Sequence, residues 1–289
     1  MLAQLLVSGI AQGAIYALVA LAMTVIYRAT TVVNFGHGDL LMAGAFSVYV
    51  FVVLLGIPYL VAAGLGLLLL FVFGYLVQRQ LIQPMLDGPH LALAMMAIAV
   101  GFALRGIARI YWGREVLPFP RIFPAEVYVL GDVVVTSGNL IVTGVALTLM
   151  LVLFAVFYLS PVGKLAQAVF QSARGAALVG INVPRFYSIA WGVGAAMAAL
   201  GGILIAPMTF LYPDMSVWIL IRGFAAMTLG GFGSLHGAVV GGLLLGVMEL
   251  LLGAYVSSSL IEITSYLVII LVLLFRPAGL FGQRQVVRV

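Results

Sequence analysis

Nine runs of mostly apolar residues follow one another along the chain, near 2–27, 37–56, 58–78, 91–112, 139–160, 184–206, 217–232, 236–254 and 257–275. A helix needs about 20 such residues to cross the hydrocarbon core of a bilayer, which is about 30 Å thick. A water-soluble domain could not hide them, because its surface needs polar groups. Only 7% of these 289 residues are charged, where soluble domains carry about a quarter. The chain therefore reads as an all-α integral membrane protein, a polytopic helical bundle with eight to ten crossings. The short 217–232 run could turn back within the membrane. Turn chemistry separates the runs at Gly56-Ile57-Pro58, Asp87-Gly88-Pro89, Ser160-Pro161, Tyr212-Pro213-Asp214 and Ser257-Ser258-Ser259. Glycines such as Gly9, Gly13 and Gly44 fall inside the runs, where membrane helices use small residues to bring backbones close. The N-terminus enters its first run without a basic leader or a small-residue cleavage site, so that run reads as a retained span.

Charge then chooses a direction. With the 161–186 loop on the cytoplasmic side, that side holds Arg28, Arg79, Lys164, Arg174, Arg185, Arg276, Arg284 and Arg288, eight of the thirteen basic residues. The other side holds Arg114 and Arg121, beside Glu115, Glu126, Asp132 and Asp214, while Arg105, Arg109 and Arg222 lie within runs. Eight against two follows the positive-inside rule and predicts an external N-terminus and a cytoplasmic C-terminus.

Two hydrophilic excursions interrupt the spans. In the outer one, 113–138, two β-rich stretches flank Gly131-Asp132 within 127–136, which predicts a short hairpin capping the outer face. The inner one, 161–183, repeats Leu165, Val169, Ala173, Ala176, Ala177 and Gly180 at helical spacing and predicts a short helix at the membrane surface. Neither is long enough for a catalytic domain, so energy for any work must come from elsewhere.

A weak internal echo links Asn34-Phe-Gly-His-Gly-Asp-Leu-Leu-Met-Ala-Gly44 with Gly231-Phe-Gly-Ser-Leu-His-Gly-Ala-Val-Val-Gly241. Paired helix interruptions point to a transport site, because broken helices expose backbone dipoles to a ligand. Two tight turns whose glycines supply positive φ explain the same spelling. Spacing leaves both readings open.

Other chemistries lack their parts. There is no cysteine, and His37, His90 and His236 lie in separate segments without metal-ligand spacing. Gly-Phe-Gly-Ser234 is not a nucleophile elbow, and no basic stripe interleaved with aromatics fits a nucleic acid. Polar groups inside the runs carry more information, since an unpaired charge in mid-bilayer costs about 2.5–3.5 kcal/mol on insertion scales. Glu249 and Arg222 read as parts of a pathway or proton relay, with a structural ion pair as the alternative. For Arg105 and Arg109, spaced i, i+4, the expectation is an ion pair or snorkelling to the interface. Capping explains Asp39 as well as a ligand role does.

Four blocks then resemble a known family, the branched-chain amino acid ABC transporter permeases of the LivH type. They are Gly13-Ala-Ile-Tyr-Ala-Leu-Val-Ala-Leu-Ala-Met-Thr-Val-Ile-Tyr27 with Val33-Asn-Phe-Gly-His-Gly-Asp-Leu40; Ala176-Ala-Leu-Val-Gly-Ile-Asn182; Leu229-Gly-Gly-Phe-Gly-Ser-Leu-His-Gly-Ala-Val-Val-Gly-Gly242 with Glu249 behind it; and Leu273-Leu-Phe-Arg-Pro-Ala-Gly-Leu-Phe281. The resemblance runs over about residues 4–282. It implies a single permease domain over 1–289 in the bacterial inner membrane, forming half of a channel with a LivM-like second permease. Two cytoplasmic ATPases would bind the ATP and Mg, and a periplasmic solute-binding protein would deliver the solute. This chain would bind no cofactor and catalyse nothing itself.

The resemblance makes 161–183 a cytoplasmic coupling loop and 113–138 a periplasmic loop. It implies ATPase contact by Gln171, Arg174, Ala177, Gly180, Ile181 and Asn182, and a pathway or gate at Asn34, Phe35, His37, Asp39, Gly233, His236 and Glu249. Two departures stand out. Gln167-Ala168 and Arg174 replace the family's usual Arg-Ala pair and acidic residue, which implies a partner surface with an acidic patch. Gly36 stands where alanine is usual, which predicts added backbone freedom at that break. Branched-chain amino acids lead as solutes, with other amino acids, urea and short amides as alternatives. An ion-coupled secondary transporter is a remoter reading.

Overall fold

A computed structural model describes residues 1–120, 126–131 and 133–282. Arg121, Asp132, Arg284 and Arg288, which enter the charge asymmetry, lie outside the described residues. Every one of the nine apolar runs forms a helix. They are α1 (Leu2–Thr30), α2 (His37–Tyr49), α3 (Tyr59–Val77), α4 (His90–Trp112), α5 (Ser137–Leu159), α8 (Val183–Thr209), α9 (Met215–Gly230), α10 (Leu235–Tyr255) and α11 (Leu260–Phe275). A π turn extends α2 to Leu54, and a π turn plus a 3-10 turn extend α3 to Met85. Seven of these helices are long and apolar enough to cross a membrane, α9 and α11 being the short ones. At 16 residues each they reach about 24 Å, less than the bilayer core.

Between α4 and α5 lies the expected hairpin, β1 (Val127–Leu130) antiparallel to β2 (Val133–Thr136). Its turn uses Gly131 at φ +62°. The side-chain amide of Gln4, near the start of α1, donates to the Val134 carbonyl at 2.9 Å and accepts from the Val134 N–H at 2.6 Å. One glutamine thus stands in for one residue of a neighbouring strand.

The surface segment differs from expectation by being two helices, α6 (Pro161–Gln171) and α7 (Ala173–Leu178). Ser172 separates them in extended backbone, φ −157° and ψ 105°, with its hydroxyl accepting from Gly175 N at 3.0 Å. A serine that bonds the next turn's N–H offers the backbone an alternative to continuing the helix.

The helices fall into two compact units, one comprising Met1–Thr24, Phe123–Ala146 and Trp218–Val289, the other Val25–Ile122 and Leu147–Val217. In the first, α1 crosses α10 on small residues. A Cβ on Gly9 would meet the backbone of Val247, one on Gly13 the backbone of Leu243, and one on Gly246 the backbone of Gly13. Facing Gly-x-x-x-Gly pairs let backbones touch where apolar burial, absent against lipid, cannot drive the packing. In the second unit α8 is the central helix. Its Gly202 lies against the Leu41 carbonyl, while Gly44 of α2 and Gly74 of α3 lie against its Ala199 and Ala195. Trp191 of α8 is 1% exposed and donates from its indole to Thr30 at 3.2 Å.

Candidate functional site

The first break, residues 31–36, opens α2 in the second unit. Thr31 takes φ +55°, the Asn34 side chain accepts from Gly36 N at 3.0 Å, and the Asn34 carbonyl accepts from His37 N at 3.1 Å. Gly36 itself has φ −82°, a conformation open to any residue. Extra backbone freedom, expected from a glycine in place of alanine, is therefore not what this position uses. A Cβ there would run into the Ala97 carbonyl of α4, so Gly36 serves close approach. Gly101 completes that contact, since its Cβ would meet Gly36 and the Asp39 carboxylate.

This approach buries polar groups. Asn34, His37 and Asp39 are all nearly inaccessible, at 3%, 0% and 2% exposure, whereas Phe35 is exposed. Asp39, in the first turn of α2, is held by Arg105 through bonds of 2.9 and 3.1 Å, the two-pronged geometry of strong guanidinium–carboxylate pairs. Arg109 pairs with Asp214, so the ion-pair expectation describes both α4 arginines. Among the described residues, neither ring nitrogen of His37 has a hydrogen-bond partner. Such buried orphans are rare and cost about 1–3 kcal/mol. Further along the groove between α2 and α4 is an apolar cavity of about 230 Å³, lined among others by Met42, Phe46, Leu104, Ala108 and Trp112.

The second break, residues 231–234, opens α10 in the first unit. Gly231 and Gly233 sit at φ +107° and +78°, and the Ser234 hydroxyl caps α10 by accepting from Gly237 N at 3.0 Å. The turn after α11 folds over it, with Leu280 N and Phe281 N each donating at 2.9 Å to the Leu229 and Gly230 carbonyls. Two blocks distant in sequence, 229–242 and 273–281, thus form one structure. His236 is exposed.

Glu249 lies elsewhere, about 20 Å further along α10 from the break by helical rise. It is fully buried and fully partnered, with Arg222 Nε at 3.1 Å and the hydroxyls of Tyr16 and Ser265 donating at 2.8 Å each. The guanidinium of Arg222 also lies over the Trp218 ring at 5.2 Å. Within the first unit, Gly233 and His236 share the break while Glu249 lies apart from them; within the second unit, Asn34, Phe35, His37 and Asp39 stand together at its own break. Sequence reasoning missed Tyr16 and Ser265, which no local spacing marks as partners of a carboxylate in α10.

The candidate coupling residues are brought together. Gln171, Arg174, Ala177, Gly180 and Asn182 are exposed, with Ile181 half-buried. Gly180 at φ +86° ends α7, its N–H donating to the Ala177 carbonyl at 3.0 Å, and Asn182 caps α8 by accepting from Arg185 N at 3.0 Å. Sequence reasoning also missed Leu178 and Val179, the most protruding apolar side chains here at 88% and 76% exposure. They fall off the helical stripe that marks the buried side, where Val169, Ala176 and Val183 form a small core. The Arg28 guanidinium at the end of α1 lies about equally far from the rings of Phe157 and Phe170, 5.1 and 5.0 Å, and Phe170 meets Phe186 edge-on. That stack ties α6 to the ends of α1, α5 and α8.

The model of a protein family described as the branched-chain amino acid transport system permease component matches residues 5–276. Among curated relatives, the high-affinity branched-chain amino acid transport system permease proteins LivH of Salmonella typhimurium and LivH of Escherichia coli K12 are each 29% identical over 300 aligned positions. BraD of Pseudomonas aeruginosa is equally similar, and all three alignments cover 99% of this chain and 97% of the relative. Among solved structures, PsaBC from Streptococcus pneumoniae in complex with Fab shares the fold at a TM-score of 0.50 and 16% identity, covering 96% of this chain and 92% of that one.

Proposed function

Because the chain belongs to the family of branched-chain amino acid transport permeases, we propose that it forms half of the membrane channel of an ATP-driven ABC importer for amino acids, first among them leucine, isoleucine and valine. The other half is a LivM-like permease, two cytoplasmic ATPases carry the ATP and Mg, and an external binding protein delivers the solute. The chain lies in the bacterial inner membrane with its N-terminus outside and its C-terminus in the cytoplasm. It binds no cofactor of its own.

The observation that carries this reading is the α6–α7 pair, exposed on one side and clamped on the other. Leu178 and Val179 offer apolar knobs to a partner, and Arg174 answers an acidic patch on it. The stack of Arg28, Phe157, Phe170 and Phe186 turns ATPase movement into rigid-body movement of the spans, since packed elements shift as units. The exposed break at Gly233 and His236, and the buried one at Asn34, His37 and Asp39, are the places where a gate can form. The apolar cavity beside Phe46 and Trp112 suits an aliphatic side chain better than urea or a short amide.

Labelled-leucine uptake into proteoliposomes holding the reconstituted complex tests the reading. Uptake should require ATP and the binding protein and should be competed by isoleucine and valine. Uptake by this chain alone under an ion gradient would overturn it, and competition by urea but not by valine would reassign the solute. Leu178→Ser with Val179→Ser should abolish copurification of the ATPase while changing stability by no more than about 0.5 kcal/mol.

A further inference from the structure

At the membrane face that carries α6 and α7, the extension of α3 and the first turns of α8 leave a cavity of about 530 Å³, lined by Tyr75, Arg79, Gln83, Asn182, Arg185 and Ser188. That is within the range of small-ligand pockets. Its floor is fixed by hydrogen bonds. Gln78, fully buried, donates to the Gln83 side chain at 2.7 Å and accepts from the hydroxyl of Ser188, itself 2% exposed.

The charges around this floor are unbalanced. Arg79 donates to the Tyr75 hydroxyl at 3.3 Å. Among the described residues the ion pairs involve Arg105, Arg109 and Arg222, and neither Arg79 nor Arg185 takes part in one. Two guanidinium groups, each with five donors, therefore border one cavity without a carboxylate. An anion is the complement, and the planar fork of arginine matches a phosphate best.

The surroundings specify which kind of anion. On α3, Leu76 and Val72 lie three and seven residues before Arg79, on the same helix face and deeper in the span, and are 41% and 46% exposed. On α8, Ile189 stands one turn deeper than Arg185 and is 39% exposed. Arg79 thus stands at the water-facing end of two exposed aliphatic side chains and Arg185 of one. An acidic protein loop arriving from the water could meet the arginines but not these aliphatic side chains, whereas an amphipathic molecule lying in the membrane meets both. We propose that this cavity binds the phosphate of an anionic phospholipid, held by Arg79 and Arg185, with its acyl chains along Val72, Leu76 and Ile189. Basic pockets between membrane helices recognise such headgroups through these same terms.

Native mass spectrometry of the delipidated full chain, titrated with phosphatidylglycerol, tests the site. One tightly retained lipid is expected, with phosphatidylcholine bound far more weakly. Arg79→Gln with Arg185→Gln should weaken retention about thirtyfold, the share of two arginines in attraction to an anionic lipid, and each single exchange about fivefold. Because Arg185 is exposed, its single exchange reads binding even if the double variant folds poorly. Arg114→Gln, in the exposed loop after α4, should leave retention unchanged. Equal retention by wild type and Arg185→Gln would overturn the proposal, as would displacement of the lipid by millimolar inorganic phosphate, which would make the site one for a soluble anion. Loss of ATPase copurification with unchanged lipid retention in the double variant would assign the cavity to an acidic loop of the ATPase instead.

Discussion

The two glycine-rich breaks are spelled alike, Asn34-Phe-Gly-His-Gly38 and Gly231-Phe-Gly-Ser-Leu-His-Gly237, yet their glycines answer different demands. At the first, Gly36 keeps an ordinary φ of −82° and is small because the Ala97 carbonyl leaves no room. At the second, Gly231 and Gly233 adopt positive φ, the tight-turn geometry. The first break draws Asn34, His37 and Asp39 out of reach of solvent, while the second leaves His236 exposed and is stitched by the turn after α11. A shared motif therefore does not imply a shared mechanism. One break is an interior packing contact around polar groups, the other a hinge-like turn near the surface.

The largest expected effects come from the buried acid of each unit. Removing one member of a buried ion pair costs about 3–5 kcal/mol, because the other charge is stranded. Glu249→Ala should sit at the top of that range, since it also strands the hydroxyls of Tyr16 and Ser265, and Asp39→Ala nearer the bottom. Thermal unfolding in detergent reads both, and equal losses would remove the contrast. Asparagine exchanges at the breaks come next. Gly36→Asn should cost about 1–3 kcal/mol through overpacking against α4, and Gly233→Asn well under 1 kcal/mol, because asparagine visits positive φ. The reverse order in chemical denaturation would sink the assignment of the two glycines.

The histidines should differ in the size of their effect. His37→Leu is expected to stabilise the fold by about 1–2 kcal/mol by removing unpartnered buried nitrogens, while abolishing uptake if the first break is a gate. His236→Leu should shift stability by less than about 0.5 kcal/mol. A destabilised His37→Leu variant would mean that the imidazole has a partner after all. The helix caps of the two breaks differ as well. Ser234→Ala should cost about 1 kcal/mol of helix stability, seen as faster amide exchange in the first turn of α10. At α2, where no side chain caps the helix, no single cap deletion can do the same.

Much of this architecture is legible in the chain because lipid imposes a simple rule. All nine apolar runs became helices, and the alternation around Gly131 became a hairpin, since both follow from local periodicity and turn residues. The division of the surface segment at Ser172 was written in a serine but outvoted by the helical spacing on either side. What stayed hidden is what distant residues do for each other. Nothing near Glu249 announces Tyr16, 233 positions away, and nothing near Arg79 announces Arg185. Gly36 was misread for the same reason, because the atom that demands a glycine there belongs to α4.

Gln4 offers a last lesson. An exposed two-stranded ribbon has two outer edges, each able to recruit another strand and so to stick copies together. By occupying both the donor and the acceptor of Val134, one amide side chain closes one of those edges at that position. It also moors the ribbon to the first turns of α1, so any tilt of that helix carries the hairpin with it like a pointer on a shaft.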